Sequence, residues 1–187
     1  LTLQEVAKEA LDPARLPKDM EVGLLATATW AAPIQNFPNG CHVCEVEIDA
    51  ETGAVRVTRY AVVDDVGRMI NPMLVKGQIH GGIVQGLGQG LAEVLPYDAS
   101  GQLLAGSLMD YAIPRADELP LFDVDSHEVA TRVNPLGAKG VGEAGTVGAL
   151  PALLNAVNHA LAPLGVRHLD MPVTPERVWH AMRANGH

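Results

Sequence analysis

The chain has few aromatic side chains and only two cysteines, and each shortage narrows the structures it can form. Aromatic residues make up 4% of the 187 residues, so Val, Leu, Ala and Ile must fill the core. Cys41 and Cys44 form a single C-x-x-C pair, and no second pair is present to complete a zinc site. We therefore expect two reduced thiols, as in a cytoplasmic protein, on opposite faces of a strand.

The sequence also lacks concentrated positive charge. Its net charge is −9 and no basic cluster appears. This argues against nucleic acid as a partner, because phosphate binding needs a positive surface. We find no apolar run of the roughly 18–20 residues that span a bilayer, and therefore expect no membrane span.

Local patterns predict the secondary structure. Alternation over 42–48 and over 55–63, on either side of a turn at 49–53, predicts a β-hairpin. Periodicity and capping signals predict helices over 3–11, 72–92, 147 or 151 to 161, and 174–184. Turn residues at 97–101 predict a second hairpin, between short strands at 93–97 and 102–105. An apolar, Thr-bearing run predicts a strand at 22–30, and loose alternation predicts another within 121–129. The predicted class is α+β, a mixed sheet with hairpins packed against helices.

The helix predicted over 72–92 is unusually rich in glycine, with glycines at 77, 81, 82, 86, 88 and 90. Each costs about 1 kcal/mol relative to Ala in a helix interior. Close packing against another element or a ligand must compensate for that cost. A dinucleotide fingerprint is not indicated, because the run 86–90 lacks the G-x-G-x-x-G spacing and no strand directly precedes it.

The loop before the third predicted helix is the most informative segment. It reads G-A-K-G-V-G-E-A-G over 137–145 and holds one carboxylate, Glu143. Glycine allows backbone N–H groups to approach a ligand closely. Two interpretations are open from the local pattern: a solvated Glu in a tight turn, or a general base facing a bound cofactor.

Four motifs occur in an order that resembles the large subunit of the molybdenum hydroxylases, the superfamily of xanthine dehydrogenase, aldehyde oxidase and aerobic carbon monoxide dehydrogenase. They are the glutamate loop itself, V-D-D-V-G through G-Q-I-H-G-G-I-V-Q-G-L-G at 63–88, S-L-M-D-Y-A-I-P at 107–114 and T-P-E-R-V-W at 174–179. The resemblance implies a C-terminal fragment of the molybdopterin-binding subunit, with one domain over 1–187 and its core at about 20–184.

The resemblance also implies a chemistry. The parent enzyme would be an oxidoreductase that hydroxylates an aldehyde, N-heterocycle or related carbon centre with oxygen from water, or oxidises carbon monoxide. Glu143 would be its general base. The implied cofactor is molybdenum–molybdopterin cytosine dinucleotide, bound by Gln85, Lys139, Gly140, Val141 and Gly142, with no protein ligand to the metal from this chain.

Implied partners are the remainder of the molybdenum subunit, FAD-binding and [2Fe–2S] subunits or domains, and a small-molecule substrate, in the cytoplasm. The chain alone is expected to hold half a pocket and to be inactive. The stretch 83–90 looks more like the aldehyde and N-heterocycle group. Two other functions remain open: a noncatalytic homologue that serves as an assembly module, and a nucleotide-binding module that uses the glycine-rich helix.

Several other polar and aromatic residues are assigned structural roles. We expect His80 to be a packing or surface histidine, since no second metal ligand stands at a suitable spacing. Asp64 and Asp65 are expected in turn or capping roles. Trp30 and Trp179 are expected in the core.

Overall fold

A computed structural model describes residues 1–185. It divides into two compact units, the first of which is Leu1–Pro33. In this unit α1 spans Leu3–Ala10. A capping box, the signal expected at a helix start, begins this helix: Thr2 Oγ1 accepts the N–H of Glu5 at 3.3 Å, and the Glu5 carboxylate accepts the N–H of Thr2 at 2.7 Å.

The strand predicted at 22–30 is not formed. These residues are irregular and pair with no strand within residues 1–185. The side chain of Trp30 is 56% exposed, so its predicted core position is wrong. An apolar, Thr-bearing run has strand propensity, but without a partner ladder its backbone groups gain nothing from the extended conformation.

The second unit begins at Ile34 and is built on a three-stranded mixed sheet in the order β1–β2–β3. Strands β1 (Asn39–Ile48) and β2 (Val55–Asp65) form the predicted antiparallel hairpin. Strand β3 (Phe122–Ser126) pairs with β2 in parallel. The second hairpin expected at 93–105 is reduced to one bridge between Tyr97 and Leu103. The predicted α+β class is confirmed.

Strand β1 alternates between its two faces as the sequence predicts. His42, Cys44, Val46 and Ile48 are partly buried, and the intervening residues are exposed. Cys41 is exposed and Cys44 half-buried, so the two thiols lie on opposite faces of the strand, and both are free. The pairing with β2 contains a register shift between Glu45 and Val46.

In the described part of this unit, up to residue 185, the sheet is accompanied by three helices: α2 (Pro72–Leu91), α3 (Ala144–Leu161) and α4 (Pro175–Asn185), with a 3₁₀ turn at Ala162–Leu164 after α3. Helix α2 begins as predicted, with Asn71 Oδ1 accepting the N–H of Leu74 at 3.2 Å. Helix α3 begins at Ala144, earlier than predicted, and carries Pro151 in its interior. In α4 the guanidinium of Arg183 lies 4.1 Å from the ring centre of the partly buried Trp179.

Glycines on one side of α2 allow it to pack directly on α3. A Cβ atom on Gly86 would lie 2.7 Å from Ala149 Cβ and 2.9 Å from the Thr146 carbonyl oxygen. Gly82 and Gly90 also approach α3 closely. This confirms that packing compensates for these glycines. The buried core around the contact includes Tyr60, Ile79, Ile83, Leu87, Leu153, Val157, Leu161 and Val178.

The stretch Ala144–Leu164 is long and apolar enough to cross a membrane by length and composition alone. The sequence-based statement that no such run exists therefore does not hold for it. Core helices of globular proteins pass the same test. A stripe of this helix is buried in the core, as in such helices: Gly145, Ala149, Leu153, Val157 and Leu161.

Candidate active site

Glu143 is the residue immediately before α3. It occupies the N-cap position with φ −107° and ψ −3°, but its side chain does not cap the helix. Its carbonyl oxygen accepts the N–H of Val147 at 3.0 Å. The carboxylate is exposed and makes no hydrogen bond or ion pair with any residue of the described range 1–185. It is therefore available to a bound group.

The loop that carries Glu143 is fixed by hydrogen bonds on both sides. Gln78 Nε2, on α2, donates to the Gly142 carbonyl at 2.8 Å. The N–H of Lys139 donates to the Val66 carbonyl at 2.8 Å. Asn134 Nδ2 donates to the Ala138 carbonyl, also at 2.8 Å. These contacts hold the backbone on either side of Gly140 in place, so the loop is preorganised rather than free.

Lys139 and Asp65 form a buried ion pair beneath this loop. Lys139 Nζ lies 2.6 Å from Asp65 Oδ2, and the side chains are 12% and 9% exposed. Asp65 Oδ1 also accepts the N–H groups of Gly67 at 2.8 Å and Val129 at 3.0 Å. Burial by itself would raise the pKa of Asp65, but these hydrogen bonds and the ammonium hold it below its ordinary value. Asp65 has the expected turn role, and the Lys139 ammonium is directed to it.

A cavity of about 540 Å³ opens beside Glu143. Such a volume lies within the range of small-molecule sites. Within residues 1–185, the backbone N–H groups of Gly140, Val141 and Gly142 donate no hydrogen bond, and a Cβ on either glycine would meet no atom within 4 Å. The cavity is lined by the segment 36–40, His42, Asp64, Gly140, Gly142, Glu143, Ala144, Val147 and Gly148.

One wall of the cavity is a buried polar cluster that the sequence did not indicate. His42 Nδ1 lies 2.7 Å from Tyr60 Oη, and His42 Nε2 lies 3.3 Å from Asp64 Oδ1. The side chains of His42 and Asp64 are 6% and 3% exposed. Asp64 also lies within strand β2 and not in a turn, so the turn or capping role expected for it is wrong. His42 shares the inward-facing positions of β1 with Cys44, and that alternation was the signal available for it.

The remaining candidate residues lie outside this cavity. Gln85 is exposed on α2, with its Oε1 3.5 Å from Thr146 Oγ1. Lys139 and Val141 line a neighbouring cavity of about 330 Å³. The structure thus brings Gly140, Gly142 and Glu143 together and places the other three around them. His80 stacks near Phe122, 5.9 Å between ring centres, as expected of a packing histidine.

A larger cavity of about 710 Å³ lies beside the segment 108–115 and contains no residue of the Glu143 loop. Tyr111, in its lining, donates a hydrogen bond of 2.5 Å from Oη to Glu93 Oε2, which raises the pKa of Tyr111. The carboxylates that line this cavity are also hydrogen-bonded: Asp110 Oδ2 accepts from Ser107 Oγ at 2.8 Å, and Glu118 Oε2 accepts the N–H of Arg115 at 2.9 Å. Neither is free in the way that the Glu143 carboxylate is.

Comparisons with known proteins agree with the sequence motifs. The sequence model of a family described as the molybdopterin cofactor-binding domain matches residues 1–120. The carbon monoxide dehydrogenase large chain of Hydrogenophaga pseudoflava is 40% identical over 182 residues, 97% of this chain and 22% of that protein. The nicotine 6-hydroxylase large subunit of Paenarthrobacter nicotinovorans is 42% identical over 172 residues, 92% of this chain and 21% of that protein.

Solved structures show the same likeness. Quinoline 2-oxidoreductase from Pseudomonas putida 86 superposes with a TM-score of 0.85 at 44% identity, over 91% of this chain and 22% of that chain. Carbon monoxide dehydrogenase from Oligotropha carboxidovorans superposes with a TM-score of 0.90 at 34% identity, over 99% and 23%. The chain thus spans less than a quarter of the length of these relatives.

Proposed function

Because this chain belongs to the molybdopterin cofactor-binding domain family, we propose that it forms one wall of the active site of a molybdenum-dependent hydroxylase or dehydrogenase, with Glu143 as the general base. The observation that carries the proposal is the free carboxylate of Glu143 at a cavity of about 540 Å³. The alternative interpretation, a solvated turn, would also leave the Glu143 carboxylate free. A solvated turn would not require a fixed backbone, however, and the hydrogen bonds from Gln78 and Asn134 fix this one.

The residues around the cavity fit an oxygen-rich, negatively charged group such as a pterin dinucleotide. Within residues 1–185, the N–H groups of Gly140, Val141 and Gly142 are unpaired hydrogen-bond donors, and the two glycines carry no Cβ that could obstruct a ligand. The start of α3 adds the positive end of a helix dipole. We assign these three residues to cofactor binding, with Lys139 as the anchor of their loop and Gln85 as an amide that can both donate and accept.

When bound, the molybdenum–molybdopterin cytosine dinucleotide supplies two-electron oxidation of a substrate carbon, with water as the source of oxygen. The part of Glu143 is to accept a proton at its carboxylate. A general base must stand within hydrogen-bond reach of that proton and in its unprotonated form. No residue of the described chain competes for the Glu143 carboxylate, and its backbone is held on both sides.

The names of the relatives support a proposal on the substrate. They point to carbon monoxide and to N-heterocycles such as nicotine and quinoline, and a further structural neighbour, the aldehyde oxidoreductase from Desulfovibrio gigas, points to aldehydes. We propose a small substrate of these classes. We further propose that the remainder of the molybdenum subunit closes the cavity, that FAD-binding and iron–sulfur subunits carry the electrons away, and that the complex is cytoplasmic.

The test uses the complete parent subunit with its electron-transfer partners. Glu143→Gln should lower kcat on an aldehyde, N-heterocycle and carbon monoxide panel by about 10²–10⁴-fold, the usual contribution of a general base, while molybdenum and released cytidine nucleotide stay at wild-type levels. The matched control is Glu51→Gln, an exposed carboxylate in the β1–β2 turn. Unchanged turnover in Glu143→Gln would refute the base role, and loss of the cofactor would make Glu143 a structural residue.

A further inference from the structure

The cluster of His42, Tyr60 and Asp64 lies between the sheet and the start of α3, and nothing in the proposed chemistry uses it. We propose that His42, held by Tyr60 and Asp64, is a positioning residue that sets the first turns of α3, and with them Glu143, against the sheet. This inference rests on the proposed function, since it concerns where the proposed base is held.

The hydrogen bonds fix the His42 ring at both nitrogens. Tyr60 is fully buried. Its burial raises the pKa of the phenol well above the ordinary value, and the nearby Cys44 and Asp64 raise it further. The phenol therefore keeps its hydrogen, and its Oη lies 2.7 Å from His42 Nδ1. In the tautomer with the ring hydrogen on Nε2, Nδ1 accepts the phenol O–H and Nε2 donates to Asp64 Oδ1 at 3.3 Å.

The fixed ring lies directly against the backbone of α3. A Cβ atom on Gly148 would stand 2.4 Å from Cδ2 and Nε2 of His42, so glycine at this position is what admits the ring. Gly148 follows Glu143 by about one and a half helical turns. Three residues earlier, on a neighbouring part of the same helix face, a Cβ on Gly145 would stand 2.5 Å from the Ile79 carbonyl oxygen of α2. The start of α3 is therefore in close contact with both α2 and the His42 ring.

An apolar side chain of similar size could fill this space but could not hold its orientation. The Oδ2 atom of Asp64 already lacks a hydrogen-bond partner among the described residues. Loss of His42 would leave Oδ1 without the His42 contact as well, and a buried carboxylate with unsatisfied oxygens is strongly unfavourable. The carboxylate would then draw in water or move, and the ring contact that spaces α3 from β1 would be lost.

The kinetic test uses the molybdenum-loaded parent enzyme, with kcat expressed per bound molybdenum. His42→Ala should lower kcat by about 10–100-fold with KM within about twofold, because a misplacement near 1 Å can cost about 10² in rate. His42→Gln should recover most of the loss, since its amide can accept from Tyr60 and donate to Asp64. Val46→Ala, on the same face of β1, is the control for lost packing and should leave kcat per molybdenum unchanged.

A second measurement does not depend on turnover. Amide hydrogen exchange of residues 139–150 in the parent subunit should be about tenfold faster in His42→Ala, and near wild type in His42→Gln and Val46→Ala. Wild-type exchange in His42→Ala, or equal losses in His42→Ala and His42→Gln, would overturn the positioning role. If Glu143→Gln remains active while hydrogen exchange in the His42 variants responds as expected, the base role of Glu143 is wrong and the positioning role of His42 is supported.

Discussion

The glycines of α2 predict opposite effects for one substitution made at two places. Gly86 faces α3, where a Cβ would lie 2.7 Å from Ala149 Cβ. Gly81, in the same helix, has no neighbouring atom within 4 Å of an added Cβ. Gly81→Ala should therefore stabilise the helix, and Gly86→Ala should destabilise it.

The magnitudes follow from two competing effects. Ala is favoured over Gly by about 1 kcal/mol in a helix interior, at either position. At Gly86 the new methyl would meet a Cβ and the Thr146 carbonyl oxygen at 2.9 Å, well inside the carbon–carbon optimum of about 3.5–4.0 Å. Neither atom can rotate away, so the overpacking cost falls near the upper end of about 1–3 kcal/mol. The net expectation is about 2 kcal/mol of destabilisation at Gly86 and about 1 kcal/mol of stabilisation at Gly81.

Hydrogen exchange of the α2 amides in the parent subunit measures both changes as opening free energies. Exchange should become about 5-fold slower in Gly81→Ala and about 30-fold faster in Gly86→Ala, the factors that correspond to 1 and 2 kcal/mol. If Gly86→Ala slows exchange as much as Gly81→Ala does, the helices do not touch through these glycines, and the packing explanation for the glycine-rich sequence is wrong.

Three further outcomes are expected. Lys139→Met should lower the free energy of unfolding by about 3 kcal/mol in urea titrations, because it leaves the buried Asp65 carboxylate without its cation. The control is Arg56→Met, in an exposed pair with Glu47, which should change the free energy of unfolding little. Folding lowers the pKa of Asp65, so its contribution to the free energy of unfolding is complete above pH about 4 and is lost as the pH falls further. Asp65→Asn should therefore reduce the slope of the free energy of unfolding against pH on the acid side. An unchanged slope would contradict the lowered pKa of Asp65. Burial, and secondarily the charge of Glu45, raises the pKa of Cys44 to about 11, so mass spectrometry after iodoacetamide treatment at pH 8 should find Cys44 unmodified, and labelling should begin only near pH 10.

Those parts of the fold that depend on residues close together in the sequence were predictable. The β1–β2 hairpin follows from alternation on either side of a turn that ends at Gly53, which adopts φ +75°. The start of α2 follows from Asn71 and Pro72. The loop at Glu143 was identified from its glycines and its resemblance to a known family, and the structure places it at a cavity. Its role as the general base stays a prediction.

Two misassignments have physical causes that the sequence does not display. The run at 22–30 has strand propensity but no partner strand among residues 1–185, and only the assembled sheet reveals this. The start of α3 was placed too late because Pro151 suits the first turn of a helix. In the structure Pro151 lies inside the helix, which begins at Ala144, directly after Glu143.

The His42 cluster was hidden by the register of the hairpin. Near the turn Ile48 lies opposite Val55, and an uninterrupted ladder from that pair would place His42 opposite Ala61. The shift between Glu45 and Val46 places it opposite Val62 instead. Because diagonal neighbours lie two residues to either side of the opposite residue, His42 comes beside Tyr60 and Asp64. Turn chemistry alone does not specify such a bulge.

The end of β2 connects these observations. Asp64 holds His42 under α3, Asp65 holds the Lys139 ammonium, and the Val66 carbonyl accepts the Lys139 N–H. The loop before Glu143 and the helix after it are thus both supported by consecutive residues of one strand end. A substitution there can move the proposed base without altering the loop sequence, so its effect should appear in kcat before it appears in cofactor content.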